Sequence, residues 1–239
     1  MKNYTSINDI DNINTWIKEA KEIKSNPLKN IELGKNKTLG LLFFNTSLRT
    51  RLSTQKAALN LGMNPIVMNV SGDAWEIEFE DDTVMNGTTS EHIKEAAAVV
   101  SQYCDVIAVR AFPTLNDKEK DESEHVLKSF MAFASVPIIS MESATGHPLQ
   151  GLTDAITISE NTTKKKPKVV LSWAPHVKAL PHAVGNSFVQ AMQKMDVEFV
   201  IANPEGYNLN PAITKETPIY HHQEEALKNA DFVYTKNWS

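Results

Sequence analysis

An α/β protein of two domains, each with a central parallel sheet flanked by helices, is what three features of the sequence predict. Short apolar runs rich in β-branched residues alternate with amphipathic stretches along the chain, the pattern of parallel strands buried on both faces and joined through helices. The 239 residues suffice for two compact units. One clearly polar break, NTTKKKPK at 161–168, is followed at once by a restart of the alternation. A first domain over 1–146, a bridging helix and linker over 147–166, and a second domain over 167–239 are therefore expected.

The first helix is expected over 11–24, ahead of the strand TLGLLFF at 38–44. The next helix, 48–61, starts after Asn-Thr-Ser, which makes Ser47 its N-cap. Further strands are expected at 65–70, 105–110, 136–141, 168–173, 198–202 and 232–235. Helices between them fall at 90–102, 119–134, 150–161, 181–194 and 223–229. Residues 71–89, SGDAWEIEFEDDTVMNGTT, read as a long acidic loop, a length that compact domains usually reserve for function or mobility.

A net charge of −5 with basic residues dispersed, apart from Lys164, Lys165 and Lys166, leaves no nucleic-acid footprint and favours small-molecule partners. The single cysteine, Cys104, excludes an intrachain disulfide and reads as a buried strand thiol in CDVIAV. With no apolar signal core and no run near the roughly 18 apolar residues needed to span a bilayer, a soluble cytoplasmic protein without membrane contact is expected.

Candidate chemistry collects at three expected strand ends. Ser47 at the helix start, with Arg49 and Thr50 in the first turn, joins a hydroxyl, a guanidinium and exposed N–H groups where an anion is favoured. A capping serine beside solvated arginines is the plainer alternative, and the segment alone does not separate the two. Arg51 is expected to face away and pair structurally. Arg110 closes the strand CDVIAVR, so it points to the same sheet edge unless it forms a surface ion pair. His147 and Gln150 in GHPLQ follow the strand VPIISM. Taken alone each has a bland reading; donors from three strand ends together point to an anion site. His221 and His222 lack companion ligands and read as a helix start, so no metal is expected, and nothing in the sequence requires a cofactor.

A strand followed by SLRT, a later strand ending in arginine, then HPLQ opening a helix resembles the aspartate/ornithine carbamoyltransferases over essentially the whole chain. The resemblance implies that Ser47, Leu48, Arg49 and Thr50 hold the phosphate of carbamoyl phosphate. Arg110, His147 and Gln150, with Thr50, would hold the carbamoyl group, and Thr50, Arg110 and His147 would be the catalytic donors. It also implies homotrimers with active sites between subunits.

Within that family the N-succinylornithine and N-acetylornithine branch is the nearest likeness. By resemblance Trp75 in DAWEIEF reaches a neighbouring subunit's carbamoyl phosphate site, although an aromatic tucked onto its own domain is the plainer reading. Glu142 in ISMES, His176 in LSWAPHVKALPHAVGNS and Lys236 in YTKNW would contact the acylated ornithine. At Ser90 acetyl-specific members have a glutamate and succinyl-specific members a proline; serine leaves the space uncharged and favours a succinyl carboxylate. Ser90 also reads as the N-cap of EHIKEAAAVV. The expected activity is carbamoyl transfer to N-succinyl-L-ornithine in arginine biosynthesis, with N-acetyl-L-ornithine or a noncatalytic carbamoyl phosphate-binding role as alternatives. The family's later H-C-x-P segment has no counterpart before Ser239, so the second domain reads as C-terminally truncated.

Overall fold

The computed structural model describes residues 2–70 and 75–239. Its contacts group residues up to Thr5 with Glu22–Ser143, and Ser6–Lys21 with Ala144–Ser239. A one-turn 3-10 segment, Ile7–Asp9, and the start of α1 (Ile13–Ser25) therefore belong with the second unit. The 3-10 turn is closed by a reciprocal cap: Ser6 N–H donates to Asp9 Oδ2 at 2.9 Å while Ser6 Oγ accepts from Asn8 N–H at 3.1 Å.

In the first unit β1 (Thr38–Phe43) leads into α2 (Leu48–Asn60) and β2 (Asn64–Asn69). The two-residue strands β3 (Ile77–Glu78) and β4 (Glu91–His92) pair in parallel, and α3 (Ile93–Tyr103) and β5 (Val106–Arg110) follow. Next come α4 (Lys118–Glu122), α5 (His125–Phe133) and β6 (Ile138–Glu142). The main sheet has the order β2-β1-β5-β6, all parallel. From β1 the chain goes to one side for β2 and returns on the other for β5, so β1 and β5 flank the switch point where α/β sheets place ligands.

Leu41, Leu42, Ile107 and Phe130 are fully buried in this unit. Gly40 is a strand glycine for a steric reason: a Cβ there would lie 2.7 Å from Cys104 Sγ. Cys104 itself is buried as expected, but it caps the end of α3 instead of lying in a strand. Burial pushes its thiol up from the ordinary range.

Three further details differ from the sequence reading. The helix expected over 119–134 breaks into α4 and α5 at Glu124, whose φ of 57° is left-handed; Glu124 Oε1 there accepts from Ser143 Oγ–H at 2.7 Å. The expected loop over 71–89 contains β3; its residues 71–74 lie outside the described ones. Ser90 does not cap a helix, because α3 starts later: His92 is the N-cap, its Nδ1 accepting from Lys94 N–H at 3.3 Å.

The second unit adds α6 (Pro148–Asn161), β7 (Lys168–Trp173), α7 (Ala183–Met192) and β8 (Glu198–Ala202). Then come α8 (Pro211–Thr214), β9 (Ile219–Tyr220), α9 (Gln223–Leu227) and β10 (Phe232–Lys236). Its sheet, order β10-β7-β8-β9, is again all parallel, with a switch point between β7 and β10. The helix set apart in the sequence as a bridge, α6, lies in this unit against α7. Gly151 lets them meet, since a Cβ there would come within 2.7 Å of Ser187 O and 3.1 Å of Ile7 Cγ1.

Candidate active site

The turn after β1 is where the sequence places an anion site. Ser47 is the N-cap of α2, its Oγ accepting from Thr50 N–H at 3.3 Å. That bond answers one of the helix's orphan donors and leaves the other first-turn N–H groups facing out. Leu48 and Arg49 are exposed and Thr50 is half-buried. Arg51 turns back as expected: its Nη2 donates to Asn69 Oδ1, and its guanidinium lies 4.9 Å from the Phe43 ring centroid.

Arg110 stands beside this turn because β5 pairs with β1, with Arg110 opposite Phe43. It is buried, and its Nη1 donates to Asn45 O at 3.1 Å and Thr46 O at 3.0 Å. Nη2 donates to Glu142 Oε2 at 3.2 Å. Its Nε–H has no acceptor among the described residues. A bulge between Val109 and Arg110 creates the ion pair: Val109 faces Ser140, and the shift sets Arg110 against Glu142 in place of Met141. Burial lowers the Arg110 pKa and the Glu142 carboxylate offsets part of that, so the guanidinium stays charged. The surface ion pair weighed for Arg110 is thus a buried one, and Glu142, expected on substrate, is engaged with Arg110.

Asn45 joins the same turn to β5, its Oδ1 accepting from Phe112 N–H at 2.6 Å. The Phe112 ring lies 4.1 Å from the Arg110 guanidinium. Neither residue is singled out in the sequence reading, although Asn in FFNTS is a turn signal.

In the second unit the HPLQ segment starts α6, with Pro148 at its first helical position, where a missing N–H costs nothing. Two residues of α7 hold the turn before it. Ser187 Oγ accepts from His147 N–H at 2.8 Å, and Asn186 Nδ2 donates to Thr145 O at 3.0 Å. Gln150 Nε2 donates to Asp154 Oδ1 at 2.8 Å, one turn on. Burial raises the Asp154 carboxyl from 3.8 to about 6, with Gln150 and Tyr234 holding part of that back. The Tyr234 phenol on β10 is pushed well above its ordinary range by burial and by Asp154. Asp154, Asn186 and Ser187 escaped the sequence reading, yet the i,i+4 spacing of QGLTD was a usable signal.

At the second switch point Lys236 ends β10 opposite Trp173, the last residue of β7. The segment that follows is held there, with Ala174 N–H donating to Lys236 O at 3.0 Å and Asn237 Nδ2 to Ala174 O at 2.9 Å. His176 is exposed two residues further on, its Nδ1 accepting from Lys178 N–H at 3.1 Å.

Trp75 and Ser90 lie at the β3/β4 pair of the first unit. The indole packs partly buried on that unit's core and donates through Nε1 to Glu91 Oε2 at 3.0 Å. Ser90 is exposed, and its N–H donates to Glu76 O at 2.9 Å. Among the described residues no three His, Cys, Asp or Glu side chains gather as a metal site, and no helix is long and apolar enough to cross a membrane. The His221 ring contacts Asn203 O at 2.9 Å, and His222 caps α9 through its backbone alone.

Residues 2–160 match the family described as aspartate/ornithine carbamoyltransferase, carbamoyl-P binding domain. The chain belongs to this family. It is 47% identical over all 239 residues to N-succinylornithine carbamoyltransferase of Bacteroides fragilis (strain 638R), spanning 75% of that protein. Against N-acetylornithine carbamoyltransferase of Xanthomonas campestris pv. campestris the identity is 39%, over 85% of this carbamoyltransferase and 64% of the relative. A solved structure of an N-acetyl-L-ornithine transcarbamylase point mutant, complexed with carbamyl phosphate and N-succinyl-L-norvaline, superposes with a TM-score of 0.89 at 36% identity. It covers all of this chain, which spans 76% of that one. The carbamoyltransferase fold expected from the sequence is therefore the fold observed; along the chain SLRT follows β1, Arg110 ends β5 and HPLQ follows β6.

Proposed function

We propose that this carbamoyltransferase transfers the carbamoyl group of carbamoyl phosphate to the δ-amine of N-succinyl-L-ornithine, giving N-succinyl-L-citrulline and phosphate, a step of arginine biosynthesis. The observation that carries the acceptor choice is the uncharged, exposed Ser90, read with the 47% whole-chain identity to an N-succinylornithine enzyme. A glutamate at that position would repel the succinyl carboxylate.

Ser47, the first-turn N–H groups of α2 and Arg49 bind the phosphate as a dianion. The neutral δ-amine attacks the carbamoyl carbon, its carbonyl oxygen gains negative charge, and the C–O bond to phosphate breaks as the carbonyl re-forms, the departing phosphate taking the proton that the nitrogen gives up. Thr50, Arg110 and His147 donate to that oxygen, and each such donor is worth on the order of 3 kcal/mol of transition-state stabilisation. The Nε–H of Arg110 is its spare donor, the other nitrogens being engaged by Asn45, Thr46 and Glu142. Gln150 accepts from the carbamoyl NH2. Glu142, His176 and Lys236 serve the acylated ornithine, the two basic side chains suiting its carboxylates.

The protein works in the cytoplasm as a homotrimer in which Trp75 reaches a neighbour's site. In support, Leu48, Leu52 and Leu59 lie along one face of α2 and are 74%, 59% and 55% exposed, a stripe suited to a protein partner. The test is ureido-product formation from carbamoyl phosphate with N-succinylornithine, N-acetylornithine, ornithine and aspartate side by side. N-succinylornithine should give the highest kcat/KM, and Ser90→Glu should move the ratio toward N-acetylornithine by tenfold or more, about 1.4 kcal/mol. A wild-type preference for N-acetylornithine would overturn the acceptor assignment, and an unmoved ratio would remove Ser90 from it.

A further inference from the structure

The amide of Gln150 has two faces, and what it offers a ligand depends on which one the protein engages. Its NH2 is a donor and its Oε1 an acceptor, nearly identical in shape. In the structure Nε2 donates to Asp154 Oδ1 at 2.8 Å, one turn along α6. An ionised carboxylate has no proton to give, so it accepts only from the NH2 edge, and the flipped amide would set two oxygens against each other. Asp154 is 8% exposed and Gln150 half-buried, so water does not freely replace the bond. Asp154 is itself fenced by Tyr234, whose phenol interacts with the same carboxylate from β10.

We propose that Asp154 is a positioning residue for carbamoyl phosphate: by engaging the Nε2 side of Gln150 it fixes the amide with Oε1 turned to the ligand, where it accepts from the carbamoyl NH2. The proposal rests on the carbamoyltransferase reading given to Gln150. It assigns to Asp154 the discrimination between an NH2 and a group of the same size that cannot donate. A carbamoyl group differs from an acetyl group in that one respect. Without the carboxylate, Gln150 presents donor and acceptor indifferently, and the advantage of the NH2 shrinks.

The experiment compares the affinities of two stable phosphonates, phosphonoacetamide and its methyl-ketone analogue 2-oxopropylphosphonate, by calorimetry on the protein. Wild type should prefer the amide. Gln150→Ala should lower that preference by roughly five- to tenfold, the worth of one hydrogen bond, and Asp154→Ala should lower it by the same factor. The double variant should lose no more than either single one. Asp154→Asn keeps the shape and avoids a cavity but offers an NH2 as well as an oxygen, so it no longer penalises the flipped amide and should lower the preference as Asp154→Ala does. An unchanged preference in Gln150→Ala would sink the reading of Gln150 on which the proposal rests. A full effect of Gln150→Ala with none from Asp154→Ala would overturn the role of Asp154 alone. Equal weakening of both phosphonates in Asp154→Ala would reduce that role to packing and overturn it too. If Asp154→Ala does not fold, a preference left unchanged in Asp154→Asn overturns the proposal.

Discussion

Asp154 on α6 is buried at the cost of a pH-dependent penalty. Its folded carboxyl is raised from 3.8 to about 6, chiefly by burial. Between those values the folded protein retains a proton that the unfolded chain has released, so stability falls as pH rises through the window and the penalty is complete above about 6. The penalty amounts to about 2–3 kcal/mol. Asp154→Asn removes the charge, so its stability relative to wild type, measured by urea unfolding, should improve by about that amount between pH 4 and pH 8. The same difference at both pH values would mean that the carboxyl titrates normally. Arg110 and Glu142 settle a buried charge in another way, through each other and two backbone carbonyls.

At the level of elements, the close approach of α6 and α7 holds the HPLQ turn. Ser187 on α7 reaches His147 N–H because Gly151 on α6 carries no side chain there. Gly151→Ala would drive a Cβ into a backbone carbonyl that cannot swing aside, a cost of about 1–3 kcal/mol. A lowered urea midpoint with weaker carbamoyl phosphate binding is expected, and an unchanged midpoint would contradict the packing described. Strands at 168–173 and 198–202 were legible to the residue because runs buried on both faces are apolar throughout. The Ser47 cap was equally legible from Asn-Thr-Ser. The break at Glu124 was not, since nothing in KDESEHVLK forbids one continuous helix; the left-handed residue is held in place by Ser143 from beyond the next strand. His92 likewise displaced Ser90 as a cap because β4 pairs with β3 and delays the helix start.

For the whole molecule the repeated βα order prescribes two all-parallel sheets, and each has a switch point with candidate residues at its edge. A homotrimer would give a sedimentation mass near three times 26.6 kDa, and a monomer would contradict the proposed assembly. Local pattern was enough for the longer strands, the capped turn after β1 and the family, because burial periodicity, capping and motif spacing are properties of neighbouring residues. The pairing of Arg110 with Glu142, the hold of Asn186 and Ser187 on the HPLQ turn, and the membership of 6–21 in the second unit were settled by folding. Each depends on strand register or helix packing between residues far apart in the chain, and no local run of sequence carries that information.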